Sequence, residues 1–345
     1  NSWRSSGRLV YLTGPDYDGA DQAWRIFPTK FEVPPVLVHP DLEMGPSVAR
    51  SAEVLKQIIF GAKANADARR RFAPRYLVNS LRNLPAMIAG GSVSALADRF
   101  RGVPAVIVGA GPSLDRCLDD LRAASGRALI VATDTALRPL LANGIAPHLV
   151  VGLDPSATNA LHLLSLPECR DTWLVAESAL DRRATAVFDG RTIWFRVGSH
   201  HPWPWLNALG VDVGKLDVWG SVLTAAFQIA CQAGCDPVVA VGSDLSFPGG
   251  RPYARCTTYE FAWAWAAAFG AGLDETWRDQ MQQNGMQSLP DLTGTETPTN
   301  AVMLSFARQA NHCTTGSTTR ANVRVRNAIG SSQYTADSPT VFVMP

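Results

Sequence analysis

The sequence predicts an α/β protein built on an open, mostly parallel Rossmann-like sheet with helices on both faces. A smaller α+β region precedes that sheet and a helical extension follows it. Three observations carry the prediction. Short apolar runs alternate with helix-length amphipathic stretches from Val103 to Phe247, the pattern of a sheet covered on both sides. Most of these runs close on Gly, Ser, Thr or an acidic residue. The composition is globular, with 46% hydrophobic and 18% charged residues.

In chain order, residues 1–45 read as a small unit with strands at Leu9–Leu12 and Pro35–His39. Residues 46–100 read as a helical connector, with one helix over about Ser47–Ala73 and another over about Tyr76–Phe100. The core spans 101–258. Its strands are expected at Pro104–Val108, Ala128–Thr133, Leu149–Leu153, Trp173–Ala176, Ile193–Val197 and Pro237–Val241. Helices are expected after Gly111, over Leu137–Asn143 and over Ser221–Ala233. Residues 259–345 read as a mostly helical extension or lid, with helices near Phe261–Phe269 and Thr299–Gln309.

Charge and cysteine usage narrow the function classes. Lys and Arg total 31 against 30 Asp and Glu, which argues against nucleic-acid binding through bulk positive charge. The six cysteines form no CxxC pair, so neither a zinc site nor a disulfide framework is expected. No apolar run approaches the roughly 18 residues of a membrane span, and no secretory signal is visible. The expectation is a cytoplasmic protein. A chain that opens on Asn1 rather than Met reads as a piece of something longer.

In open parallel sheets the ligand crevice lies beyond the carboxyl ends of the strands. The residues there are Gly109-Ala110-Gly111-Pro112-Ser113, Thr133-Asp134, Asp154-Pro155, Glu177-Ser178 and Gly242-Ser243-Asp244. Four acidic groups on one rim make a candidate ligand site, although each alone would pass as a helix cap. Gly109 and Gly111 would let backbone amides approach a phosphate, and Ser113 would cap the next helix. The loop lacks the third glycine of a dinucleotide fingerprint and the Lys of a P-loop. Gly220-Ser221 opens another helix and could hold a second polar group of the ligand. Asp134, Asp154 and Asp244 could share Mg²⁺ or Mn²⁺ with phosphate oxygens, or one could deprotonate an acceptor hydroxyl. His200 and His201 are candidate acid–base residues beside Trp203 and Trp205. Arg251 and Tyr253, after Gly249-Gly250, are candidates for a lid that closes on phosphate.

Several of these motifs together resemble a known family. They are Gly109-Ala110-Gly111-Pro112-Ser113-Leu114-Asp115, Ala132-Thr133-Asp134-Thr135-Ala136-Leu137, Gly144-Ile145-Ala146-Pro147 with Val151-Gly152-Leu153-Asp154, and Gly242-Ser243-Asp244-Leu245-Ser246-Phe247. The family is the domain of unknown function 115. It groups bacterial motility accessory factor (Maf) proteins with archaeal MptE-like 6-hydroxymethylpterin diphosphokinases, and it is distantly similar to bacterial sialyltransferases. Asn79-Ser80-Leu81-Arg82-Asn83-Leu84, Asp291-Leu292-Thr293-Gly294 and Thr297-Pro298-Thr299 resemble the Maf branch. The resemblance implies transfer of a nonulosonic sugar from a CMP-sugar to Ser or Thr of flagellin, or of another protein or glycan acceptor. The alternatives are ATP-dependent pyrophosphoryl transfer to a pterin alcohol and a catalytically silent nucleotide-sugar-binding module. The resemblance gives Gly109, Gly111 and Ser113 to the nucleotide phosphate, Asp134 and Asp154 to the nucleotide or metal, and Ser221 and Asp244 to the transferred group. Maf proteins are generally longer, and His148 stands where the family usually has Asp.

Overall fold

The structure is a computed structural model. It describes residues 70–306, apart from 199–201, 217, 219–220 and short stretches between 271 and 305. The chain divides into two compact units, Asn1–Ala73 and Pro74–Pro345. The expected leading unit, and nearly all of the expected helix over Ser47–Ala73, lie outside the described residues.

The second unit is built on a parallel sheet. Its strands are β1 (Gly91–Ser92), β2 (Ala105–Val108), β3 (Leu129–Thr133), β4 (Leu149–Gly152), β5 (Trp173–Glu177), β6 (Thr192–Val197), β7 (Lys215–Leu216) and β8 (Val238–Val241). The order across the sheet is β1-β6-β5-β4-β3-β2-β8, with β7 paired to β6, and every pairing is parallel. The chain steps from β2 to β6 in one direction and then returns to lay β8 on the other side of β2. The topological switch point therefore falls between β2 and β8.

Strand side chains alternate between two faces. Ala105, Ile107, Leu129, Val131, Leu149, Val151, Val175, Phe195, Val238 and Ala240 join one core cluster with helix α7 (Val222–Gln232). That helix brings Ala225, Ala226, Phe227, Ile229 and Ala230. The opposite face carries α2 (Leu114–Ala124) and α3 (Asp134–Ala142) over β2, β3 and β8. Over β4 to β6 lie the short helices α4 (Ala157–Ala160), α5 (Arg182–Val187) and α6 (Trp203–Ala208). Helices thus cover both faces, as the apolar runs predict.

The differences from the sequence reading have local causes. The second connector helix, α1, runs over 70–89 rather than on to Phe100, because Gly90-Gly91 ends it and Gly91–Ser92 joins the sheet edge. A Cβ at Gly90 would lie 2.8 Å from Trp194 Nε1, so this end of α1 packs closely on β6. The Trp203 stretch, which carries no predicted element, is a helix, since Pro202 and Pro204 are tolerated at its start. Trp203 is core, and its Nε1 donates to Ser178 Oγ at 3.3 Å. In the C-terminal extension, α8 (Thr258–Ala268) forms where expected. A hairpin of β9 (Met286–Pro290) and β10 (Glu296–Asn300) was not anticipated. Its second strand takes the first residues of the expected Thr299 helix, and helical residues resume at 302–304.

The described cysteines are free thiols, and burial pushes Cys231 up to about 11 and Cys235 up to about 12. They are core residues and poor nucleophiles. No described helix is long and apolar enough to cross a membrane.

The sheet's tightest point is the switch point itself. A Cβ on Gly109 would come within 2.5 Å of the Gly242 carbonyl oxygen. A Cβ on Gly242, whose φ is +63°, would come within 2.3 Å of the Gly109 oxygen. Gly109→Ala should therefore lower unfolding free energy by about 2–4 kcal/mol. Gly126→Ala, at a turn with φ +77° and nothing within 4 Å, should cost only about 1–2 kcal/mol. Urea midpoints check this, and equal midpoints for the two variants would show that the crossing yields freely.

Candidate functional site

The carboxyl ends of β2, β3, β4, β5 and β8 bring the predicted rim residues to one side of the sheet. They divide into two groups with different roles.

The first group lies at the switch point. Gly111 N–H donates to Gly242 O at 2.7 Å. The Asp244 carboxylate reaches under the start of α2, where Oδ2 accepts from Ser113 N at 3.1 Å and from Ser113 Oγ at 2.8 Å. Ser113 is buried and its side chain makes no helix-capping bond, contrary to the capping role expected of it. Pro112 is buried as well. A Cβ at Gly111 would stand 2.1 Å from Asp244 Oδ2. Glycine is thus required at 109 and 111 by the protein's own β8 loop. A phosphate arriving at this helix start would meet donors already held by a carboxylate. Burial pushes the Asp244 carboxyl up, and the two Ser113 bonds pull it back. Ser243 Oγ turns to Val241 O at 3.4 Å, and Leu245 is held at φ +50°. Thr299 Oγ1 donates to Leu245 O at 3.0 Å, and Phe247 N donates to Pro298 O at 2.8 Å, which ties the β9–β10 hairpin to this loop.

The second group lies beyond β3 and β4. Asp134 begins α3 and is 2% exposed. Its Oδ1 accepts from Thr135 N at 2.7 Å and Thr135 Oγ1 at 3.2 Å, and its Oδ2 accepts from Asn159 Nδ2 at 2.6 Å. Burial raises the Asp134 carboxyl, opposed first by the nearby His162 and then by these bonds. His162 is also 2% exposed, with Nδ1 lacking a described partner. Burial lowers its pKa, while Asp134 and Asp154 act in the opposite sense. Asp154 is half-buried, and its Oδ1 accepts from Ser156 N at 2.7 Å. Thr133 Oγ1 donates back to Val108 O at 3.3 Å.

Aromatic rings cover this group. Tyr253 and Tyr259 stack at 4.6 Å and 19°, Tyr259 stacks on Trp263 at 5.5 Å, and His162 meets the Tyr259 ring edge-on at 4.9 Å. Burial raises the pKa of both tyrosines, and the nearby Asp134, with Asp154 for Tyr259, adds to it. Arg138, one turn along α3 from Asp134, is bound to the carbonyls of Leu164 and Ser165 and lies 5.9 Å from the Phe261 ring.

Other predicted residues lie elsewhere. Ser221 caps α7 by accepting from Thr224 N. Arg251, expected to close on phosphate, instead pairs with Asp115 at 2.8 Å. Gly220, His200 and His201 lie outside the described residues. Asn159, His162 and Tyr259 were missed in the sequence. They follow β4 and begin α8 without a motif, and the only signal was the position of Asn159 and His162 just after Asp154-Pro155.

Mg²⁺ would fit this rim only in company. Among the described residues no group of three or more His, Cys, Asp or Glu side chains could hold a metal ion. Asp134 has both oxygens engaged, so a cation on Asp154 would need substrate phosphates for its remaining ligands.

An open parallel sheet with polar loops at its carboxyl rim defines a Rossmann-like α/β protein. A family model described as 6-hydroxymethylpterin diphosphokinase MptE-like matches residues 78–250, half of the 345-residue chain, and the chain belongs to that family. No curated protein matches it. Among solved structures, a Maf glycosyltransferase from Magnetospirillum magneticum AMB-1 is similar at 18% identity and a TM-score of 0.48, over 73% of this chain and 37% of that one. The chain thus spans well under half of that protein's length.

Glu177 gives the rim a pH signature. It is 1% exposed, accepts from Ser178 Oγ and Ala179 N, and is pushed by burial from 4.5 to about 7. Its folded form prefers the proton. The stability it contributes is therefore complete below about pH 4.5 and is lost as pH rises through about 7. The loss amounts to roughly 3 kcal/mol. Glu177→Gln should flatten that part of the pH–stability curve in chemical denaturation. An unchanged slope would remove Glu177 as its source.

Proposed function

We propose that the protein is a Maf-type glycosyltransferase that moves a nonulosonic sugar from a CMP-sugar to a Ser or Thr hydroxyl of flagellin or a similar acceptor. The observation that carries this reading is the pair of carboxylates after β3 and β4, one buried and one reachable, beside a buried histidine and beneath stacked aromatic rings. Sugar transfer to an alcohol asks for a carboxylate that can take the acceptor proton and for flat apolar surface against the sugar or base. Asp154 is the half-exposed member, with Oδ1 on the Ser156 amide. In this reading it receives the acceptor proton as the hydroxyl oxygen bonds to the anomeric carbon and CMP departs. Asn159 and Thr135 keep Asp134 fixed beside it. A CMP-nonulosonate brings one phosphodiester charge and one carboxylate charge to this acidic rim, still fewer than a triphosphate.

The second reading is pyrophosphoryl transfer from ATP, which the family's description favours. Its chemical support is that Asp154 could hold Mg²⁺ together with the phosphate oxygens of ATP, with Asp134 contributing charge nearby. A thermal-shift comparison of CMP, CDP and ATP with and without Mg²⁺ separates the two. Ligand at a hundredfold over its dissociation constant stabilises by about 2.7 kcal/mol. The transferase reading expects a shift with cytidine nucleotides that persists without metal, and a shift only with ATP and Mg²⁺ would replace it. Release of CMP from a CMP-nonulosonate then tests turnover. Binding without release would mark a silent binding module. Asp154→Asn should leave CMP affinity within about twofold and lower turnover by about a hundredfold or more; turnover at the wild-type rate would take Asp154 out of the chemistry.

A further inference from the structure

The carboxylate pocket is closed as it stands. Asp134 and His162 are each 2% exposed, and the Tyr259 ring that meets His162 edge-on is itself stacked against Tyr253. Tyr253 belongs to a short strap between the switch-point loop and α8. The strap begins at Gly249 and Gly250, both at positive φ with nothing within 4 Å of an added Cβ. It ends at Cys256, whose φ is +63°. Between these ends it is fastened to the first turn of α2. Arg251 pairs with Asp115 Oδ2 at 2.8 Å, Arg255 N–H donates to Asp115 Oδ1 at 3.0 Å, and Ala254 N–H donates to Ala110 O at 2.8 Å. The Asp115–Arg251 pair is about three-quarters buried on each side. Arg251 also lies 6.0 Å from the Trp277 ring.

We propose that residues 249–257 are a lid over the Asp134–His162 pocket and that Asp115 is its latch, a positioning residue that acts through Arg251 and the Arg255 amide. One carboxylate holds two points of the strap, one of them by a charge-assisted bond. The glycines at the leading end can absorb the backbone rotation of opening. Opening lifts Tyr253 from Tyr259 and so frees one face of the ring that meets His162, while the sheet and α2 stay in place. The assignment of the pocket to an acceptor or donor rests on the transferase reading. The latch itself does not.

The test is hydrogen–deuterium exchange on the whole chain, comparing wild type with Asp115→Ala and Arg251→Gln. The two variants break the same pair from opposite sides. Both should speed amide exchange in 249–257 by roughly tenfold and leave the peptides of β2 to β5 unchanged. Strap exchange equal to wild type in both variants would overturn the latch. Equal acceleration in strap and sheet would overturn it too, because Asp115 would then merely support the fold. CMP is the probe for access, and its association rate, read by stopped-flow Trp fluorescence, should rise in both variants. If exchange responds as expected but CMP binds no variant, the transferase reading fails and the latch stands. If CMP binds every variant at one rate and strap exchange does not change, the lid fails and the transferase reading stands.

Discussion

The crossing of two glycines at the end of β2 and β8 is the constraint on which the rest of the rim depends. Gly109 and Gly242 approach so closely that a side chain on either would meet the other's carbonyl oxygen. That approach lets Gly111 bond to Gly242 and lets Asp244 slide beneath α2 to Ser113. A half-buried carboxylate costs free energy unless it is hydrogen-bonded, and here the Ser113 amide and hydroxyl both serve Oδ2. Leu245 accepts a positive φ in consequence, stabilised by the Thr299 bond to its carbonyl. The crossing falls at the switch point, where an open sheet ordinarily receives its ligand, and a second group of polar residues gathers farther along the rim at β3 and β4.

There the chain brings polar groups together under cover. Asp134 is pinned by Thr135 and Asn159 and shares its field with His162. The segment after β8 returns along α2, on the same face of the sheet, to deliver Tyr253 and then Tyr259. Asp115 lies on the first turn of the helix that the glycine loop launches, so the loop that fixes the switch point also fixes the strap. The two rim groups are thereby joined through the glycine loop, α2 and the strap.

The parallel sheet was legible because its strands are buried on both faces and read as continuous apolar runs. The rim carboxylates were legible because strand ends can be counted from those runs. Gly90-Gly91 was not read as a helix stop, and the strand at Gly91–Ser92 and the β9–β10 hairpin carry little hydrophobic pattern; both short elements are held by pairing partners distant in sequence. The Trp203 helix was hidden by its prolines, which at a helix start carry no penalty.

By itself, the sequence determined that this is an open α/β protein, that residues 109–113, 134, 154 and 244 share one rim, and that the family motifs lie on it. Local pattern suffices for this, since period, run length and the residues that end a run are properties of neighbours in the chain. Only the tertiary structure decided that the glycines make room for Asp244 and the Gly242 carbonyl, and that Arg251 answers Asp115. It also decided that Asn159, His162 and Tyr259 complete the pocket around Asp134. Those relations join residues up to about 140 positions apart, and they depend on distances of a few ångströms that no spacing along the chain encodes.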